Sequence, residues 1–224
     1  SERRVKAWSF STLQQYLECP AKVRFSKLDK IAEPKNQHLE RGIALHEQCE
    51  TFLRDPLAQL PAELAKIHLQ LCELRLAHAV PEAEFAFRVD WSPCDWFAKD
   101  CWLRVKADAV VPPKADGDGR MFIADFKSGK LREAHAEYDL QLELYALAGF
   151  LMYPLAEVVD TQLIFIDAGI TLESDAPFTR DMVPHLKQKW EAAAKPLLMD
   201  ETFSPRPSAQ ACKWCFYAKA KNGN

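Results

Sequence analysis

The sequence predicts an α/β fold, more narrowly an α+β arrangement in which a central mixed sheet of four or more strands is flanked by helices. Three observations predict it. Residues 1–82 read mainly as helices. Three strand-like runs then follow one another directly, at 84–91, 101–111 and 121–127. After them come a helix at 133–152, a strand at 158–166 and a helix at 181–198. Successive strands imply antiparallel neighbours, and the later strand–helix–strand crossover implies one parallel pair.

Each element has a local reason. Ser9 or Ser11 is the expected N-cap of a first helix over 12–19, which Pro20 must break or kink. Leu39, Ile43, Leu45 and Phe52 give roughly helical spacing to 36–54. Pro61 opens a third helical stretch carrying Leu64, Ile67, Leu71, Leu74 and Leu76. Phe85, Phe87, Val89 and Trp91 alternate and place 84–91 on a strand with one apolar face. Pro112-Pro113 and Asp116-Gly117-Asp118-Gly119 form the turn between the second and third strands. Pro154 stops the long helix, and a short element is expected around 212–219. The simplest organisation is one domain over 1–224, with a helical part at 1–82, a sheet core at 83–170 and a helix and tail at 171–224.

The composition is that of an ordinary globular protein: 48% apolar and 27% charged. No apolar run is long enough for a membrane span, and no signal-peptide h-region follows the N-terminus, so a cytoplasmic setting is expected, or the host-cell cytoplasm if the chain is phage-encoded. Seven cysteines, an odd number, argue against a disulfide framework. Cys49, Cys72, Cys94 and Cys101 sit in apolar or mixed runs and read as packing residues. The net charge of −3 hides an asymmetry. Residues 1–30 carry seven Lys/Arg against three Asp/Glu, and 205–224 carry four and none, so the ends total +8 and the middle −11. Basic ends that met in space would suit a phosphate backbone beside an acidic, cation-attracting centre; alternatively they only solvate the termini.

Candidate chemistry concentrates in Asp125-Phe126-Lys127-Ser128-Gly129. On a strand, Asp125 and Lys127 point to the same side. The carboxylate suits a hard divalent cation, and the amine suits a water or a phosphate. Taken alone, such a triplet is more often a surface ion pair. Asp108 lies inside an otherwise apolar strand, where an acid is costly unless paired, solvated or bound to metal. If its strand pairs with 121–127, Asp108 and Asp125 lie side by side and a cation relieves their repulsion. His46 follows Gly42 by four positions on a helix, where a glycine costs about 1 kcal/mol relative to alanine and permits a close approach. This histidine is a candidate metal or phosphate contact, or a structural one. Gln141 and Tyr145, four apart, share a helix face.

Together these residues resemble the RecB-like branch of the PD-(D/E)xK nuclease superfamily, including its CRISPR-associated exonucleases. The family pattern, G-x-x-x-H, a strand Asp, D-x-K and Q-x-x-x-Y, is matched in order by Gly42/His46, Asp108, Asp125/Lys127 and Gln141/Tyr145. The resemblance implies a restriction-endonuclease-like core. It implies that Asp108, Asp125, the Phe126 carbonyl and His46 hold Mg²⁺ or Mn²⁺, and that Lys127 positions or helps deprotonate the attacking water. Gln141, Tyr145 and Ser128 would orient the DNA strand or support the lysine. Part of the branch carries an iron–sulfur cluster on one N-terminal and three C-terminal cysteines. Cys19, within Tyr16-Leu17-Glu18-Cys19-Pro20, and Cys212 and Cys215 match three positions, but the fourth falls on Lys221. A cysteine lost to truncation, a degenerate site held by packing, and a zinc with another fourth ligand are the alternatives, with a lost or incomplete cluster favoured.

The function so implied is a metal-dependent DNA exonuclease of replication, recombination or repair. An endonuclease or end-trimming nuclease, and a non-catalytic DNA-binding subunit of a larger complex, are the alternatives. No G-x-x-x-x-G-K-[ST] motif is present, so any helicase or recombination motor is a partner; a homo-oligomer is a further expectation.

Overall fold

A computed structural model of the chain describes residues 3–131 and 136–218. Helix α1 (Phe10–Glu18) begins at Ser9, whose hydroxyl accepts the Thr12 N–H. Pro20 does not merely end this helix; it opens α2 (Pro20–Val23) as its first residue, where a missing N–H costs nothing. Helix α3 (Gln37–Arg54) is capped by Asn36, which accepts the Leu39 N–H at 2.9 Å. The stretch after Pro61 divides into a 3₁₀ segment, Ala62–Ile67, and α4 (His68–Leu76).

The strands are β1 (Val80–Phe87), β2 (Leu103–Val111), β3 (Arg120–Lys127), β4 (Val158–Phe165), β5 (Ile170–Glu173) and β6 (Phe178–Thr179). Their order is β1-β2-β3-β4-β5, with β6 also against β4. Pairs β1/β2 and β2/β3 are antiparallel and β3/β4 is parallel. The crossover between the parallel strands is α5 (Ala136–Met152), followed later by α6 (Val183–Met199) and α7 (Ala209–Lys213). The expected helix start at 133 and the tail beyond 218 lie outside the described residues. No helix among the described residues is long and apolar enough to cross a membrane.

Two expectations need correction. The first strand runs from 80 to 87, not from 84 to 91. The chain turns at 88–91, with the Trp91 N–H donating to the Arg88 carbonyl, Trp91 at φ +67° and Val89 out in solvent. The apolar alternation continues into this turn because Trp91 still folds back into the core. Strands β5 and β6 were not foreseen; both are short and only partly buried, so neither carries an apolar face long enough to read.

The sheet separates two apolar layers. One packs α1, α5 and α6 against Val105, Ala107, Met121, Ile123 and Leu163. The other packs α3 and α4 against Ala109, Ala124, Phe126 and Ile164. Helix α5 lies close on β3: a Cβ at Gly149 would sit 3.1 Å from Ile123 Cδ1 and Met121 Sδ. Its C-terminal end is held by Arg180, which donates to the carbonyls of Ala156 at 2.7 Å, Tyr153 at 2.9 Å and Phe150 at 3.3 Å. Arg180→Ala leaves these carbonyls without a cationic donor and is expected to cost about 2 kcal/mol. A thermal melt should show this as a fall in Tm of roughly 4–8 °C; an unchanged Tm would remove the clamp role.

The candidate site forms where the sheet opens. The β2/β3 register, Ala109 opposite Ala124, sets Asp108 opposite Asp125 one step on, but the backbone ladder is not continued there. Instead the Phe126 N–H donates to Asp108 Oδ2 at 2.7 Å. The alternation of β2 also slips here. Val105 and Ala107 face the α5 side and Ala109 the α3 side, while Glu82, opposite Asp108, takes φ +53°.

Candidate active site

Three donors of different residues meet on the α3 side of this opening. His46 Nε2 lies 2.9 Å from the Phe126 carbonyl and 3.2 Å from Asp108 Oδ2. His46 Nδ1 lies 2.8 Å from the carbonyl of Gly42, one helical turn back. A carbonyl oxygen only accepts, so the Gly42 contact is donated by Nδ1–H, and the His46 ring turns its Nε2 toward Asp108 and Phe126. Its pKa is raised to about 9, chiefly by the hydrogen bond to Asp108 against the opposing effect of burial. Asp108 is 9% exposed, and its pKa is raised to about 7. Burial is the main cause and the charge of Asp125 the second; His46 and the Phe126 N–H pull the other way.

A second group lies on the α5 side. Lys127 Nζ sits 2.8 Å from Asp125 Oδ2 and donates to Gln141 Oε1 at 2.7 Å. Gln141 Nε2 donates to the Tyr145 hydroxyl at 3.2 Å, which donates to Asp125 Oδ1 at 2.6 Å. The four side chains close a ring. Tyr145 is buried, and burial first, then the charge of Asp125, raises its pKa well above that of a free phenol. It therefore remains a donor to Asp125, which is 7% exposed. The i, i+4 spacing of Gln141 and Tyr145 and the i, i+2 spacing of Asp125 and Lys127 are what bring these groups together.

The two groups adjoin, since the charge of Asp125 acts on both Asp108 and His46. Asp125 is nevertheless occupied by Tyr145 and Lys127, and among the described residues no three His, Cys, Asp or Glu side chains stand together in metal-holding geometry. Two oxygens and an imidazole nitrogen, from Asp108, the Phe126 carbonyl and His46, are a donor set that fits a hard divalent cation. Ser128 is also here. A Cβ on Gly42 would fall 2.9 Å from Ser128 Oγ, so the glycine allows α3 to lie against the end of β3. This is the close approach expected of Gly42, made by protein rather than by a ligand.

A cleft of about 800 Å³ opens over His46 and Asp108. Glu47, Glu50 and Glu82 make its lining acidic, and among the described residues Lys106, paired with Glu82, is its one lysine. Leu39 and Ile43, two of the apolar positions that gave α3 its helical spacing, line this cleft and are substantially exposed. Sequence reasoning passed over Glu82 and Lys106. Lys106 stands two positions before Asp108 and was findable by strand alternation; Glu82 reads as any surface acid.

The chain ends do meet. Tyr16 donates to Asp200 at 2.8 Å, Arg206 donates to the Leu17 carbonyl at 2.9 Å, and the Arg206 N–H reaches Cys19 Sγ at 3.3 Å. Cys19 is buried at the α1/α2 junction, whereas Cys212 and Cys215 are half-buried about α7. Lys221 lies outside the described residues. Of the four cysteines read as packing residues, Cys49 and Cys101 are buried, and Cys72 and Cys94 are half-buried.

The family model of the PD-(D/E)XK nuclease superfamily matches residues 7–100 and 73–220. Among solved structures, that of a candidate exonuclease from Eubacterium rectale is similar over 98% of this chain and 88% of its own, with a TM-score of 0.55 and 11% identity. The crystal structure of SSO0001 is similar over 95% of this chain and 84% of its own, with a TM-score of 0.49 and 17% identity. No curated protein matches the chain.

Proposed function

Since the chain belongs to the PD-(D/E)XK nuclease superfamily, we propose that it is a Mg²⁺- or Mn²⁺-dependent deoxyribonuclease that shortens DNA from its ends in replication, recombination or repair. The observation that carries this reading is Lys127 Nζ, held between Asp125 and Gln141 beside the His46–Asp108–Phe126 group. An ammonium fixed by two acceptors retains a third donor for the reacting centre.

The residues that would hold the cation are Asp108, Asp125, His46 and the carbonyl of Phe126. A cation there would supply Lewis-acid chemistry, lowering the pKa of the attacking water and offsetting charge gathering on the phosphate. Lys127 orients that water and donates toward a non-bridging oxygen. Gln141 fixes the lysine, and Tyr145 fixes the carboxylate. Ser128, against Gly42 at the mouth of the cleft, supports the incoming strand.

End-labelled linear DNA and covalently closed circular DNA, each with Mg²⁺ or Mn²⁺, test the reading. Stepwise loss from linear ends with circles left intact is the expected result. Cutting of circles would make the enzyme an endonuclease, and binding without turnover would leave a non-catalytic module.

A further inference from the structure

We propose that the cavity on the α5 side of the active site seats an unpaired DNA strand, with Lys27 and Arg104 holding phosphates and Trp96 stacking on a base. This rests on the nuclease reading and deepens it. The cavity, about 410 Å³, runs from Gln141 and Tyr145 along β2 to the start of α1. Lys106 lines both it and the acidic cleft, and so joins the two.

The chemistry of the two spaces is opposite. Among the described residues no carboxylate lines this cavity, while Lys27, Arg104 and Lys106 do. Arg104 and Lys106 stand two apart on β2, on one face and about 6.7 Å from each other along the strand. Among the described residues Lys27 and Arg104 have no carboxylate partner: Lys27 is exposed, and Arg104 spends its Nε on the Trp96 carbonyl at 2.7 Å. Uncompensated cations facing a cavity that leads to a phosphodiester-cleaving centre call for a polyanion.

The aromatic component makes that polyanion an unpaired strand. Trp96 lines the cavity with its ring 5.8 Å from the Arg104 guanidinium, and the next residue, Phe97, is 87% exposed. Trp96 is half-buried with Arg104 over its ring, and a cation beside an aromatic ring is a means by which proteins hold single strands, because a base inside a duplex has no free face to stack. The cavity also has the volume of a single small ligand rather than of a duplex groove.

Fluorescence anisotropy with labelled oligo(dT) in EDTA, over a series of salt concentrations, reads binding without cleavage. The double variant Lys27→Gln/Arg104→Gln is expected to weaken binding about tenfold at physiological salt. It should also flatten the salt dependence by about 1.4 in log K against log salt, roughly 0.7 per lost phosphate contact. Trp96→Ala should weaken binding about fivefold or more with the salt slope unchanged. A blunt duplex should respond little to any of these changes. Thermal melts at the wild-type Tm show that the variants are folded. Wild-type affinity and slope in both variants, or equal losses on duplex and single strand, overturns the strand seat. If linear DNA is still degraded in that case, the nuclease reading survives alone. A wild-type protein that holds oligo(dT) through these residues but hydrolyses no DNA overturns the nuclease reading instead.

Discussion

Lys127→Ala and Asp125→Ala are each expected to lower cation-dependent degradation of linear DNA by about three orders of magnitude or more, with end-labelled DNA as the readout. The argument is geometric. Lys127 Nζ makes its two contacts with Asp125 and Gln141, and both acceptors are themselves fixed by Tyr145. A cation so constrained needs no reorganisation when charge develops on a phosphate, and removing it takes away both the charge and its placement. Asp125→Ala removes the acceptor that Lys127 and Tyr145 share, so the loss is not confined to one contact. Gln141→Ala acts only through the lysine and is expected to cost less, about tenfold, chiefly in kcat. Full activity in Lys127→Ala, with the variant melting as a folded protein, would break the assignment of this ring as catalytic machinery.

The contrast between what could and could not be read from the chain follows from range. Asp125 with Lys127 and Gln141 with Tyr145 are separated by two and four positions, and the period of a strand or helix alone fixes their shared direction. Placing Asp108 beside Asp125 required one further assumption, that adjacent strands pair, and the register Ala109/Ala124 meets it. What escaped was set by the third dimension. The slip of β2 at Asp108 and the positive φ of Glu82 swing the two carboxylates toward different helix layers, one to His46 and one to Tyr145. No periodicity announces such a slip, because each residue type remains acceptable on a strand. The shift of β1 has a similar cause: Trp91 is buried through a turn, so its apolarity imitates one more step of alternation.

The cation itself leaves a signature that does not depend on turnover. At a concentration about a hundredfold above its Kd, Mg²⁺ or Mn²⁺ is expected to stabilise the folded chain by about 2.7 kcal/mol. For a chain of this length that is a rise in Tm of roughly 5–10 °C. Asp108→Ala is expected to erase the rise. Asp108 is the one carboxylate in contact with both His46 and the Phe126 N–H, so its loss removes an anionic donor and the group that orients the other two. A cation would enter a place where two oxygens and an imidazole nitrogen already converge, with the Asp108 carboxylate supplying the compensating charge. Thermal melts of both proteins, with and without the cation, give the comparison directly. An equal rise in Asp108→Ala would move the binding site away from this residue, and with it the chemistry assigned to the opening between β2 and β3.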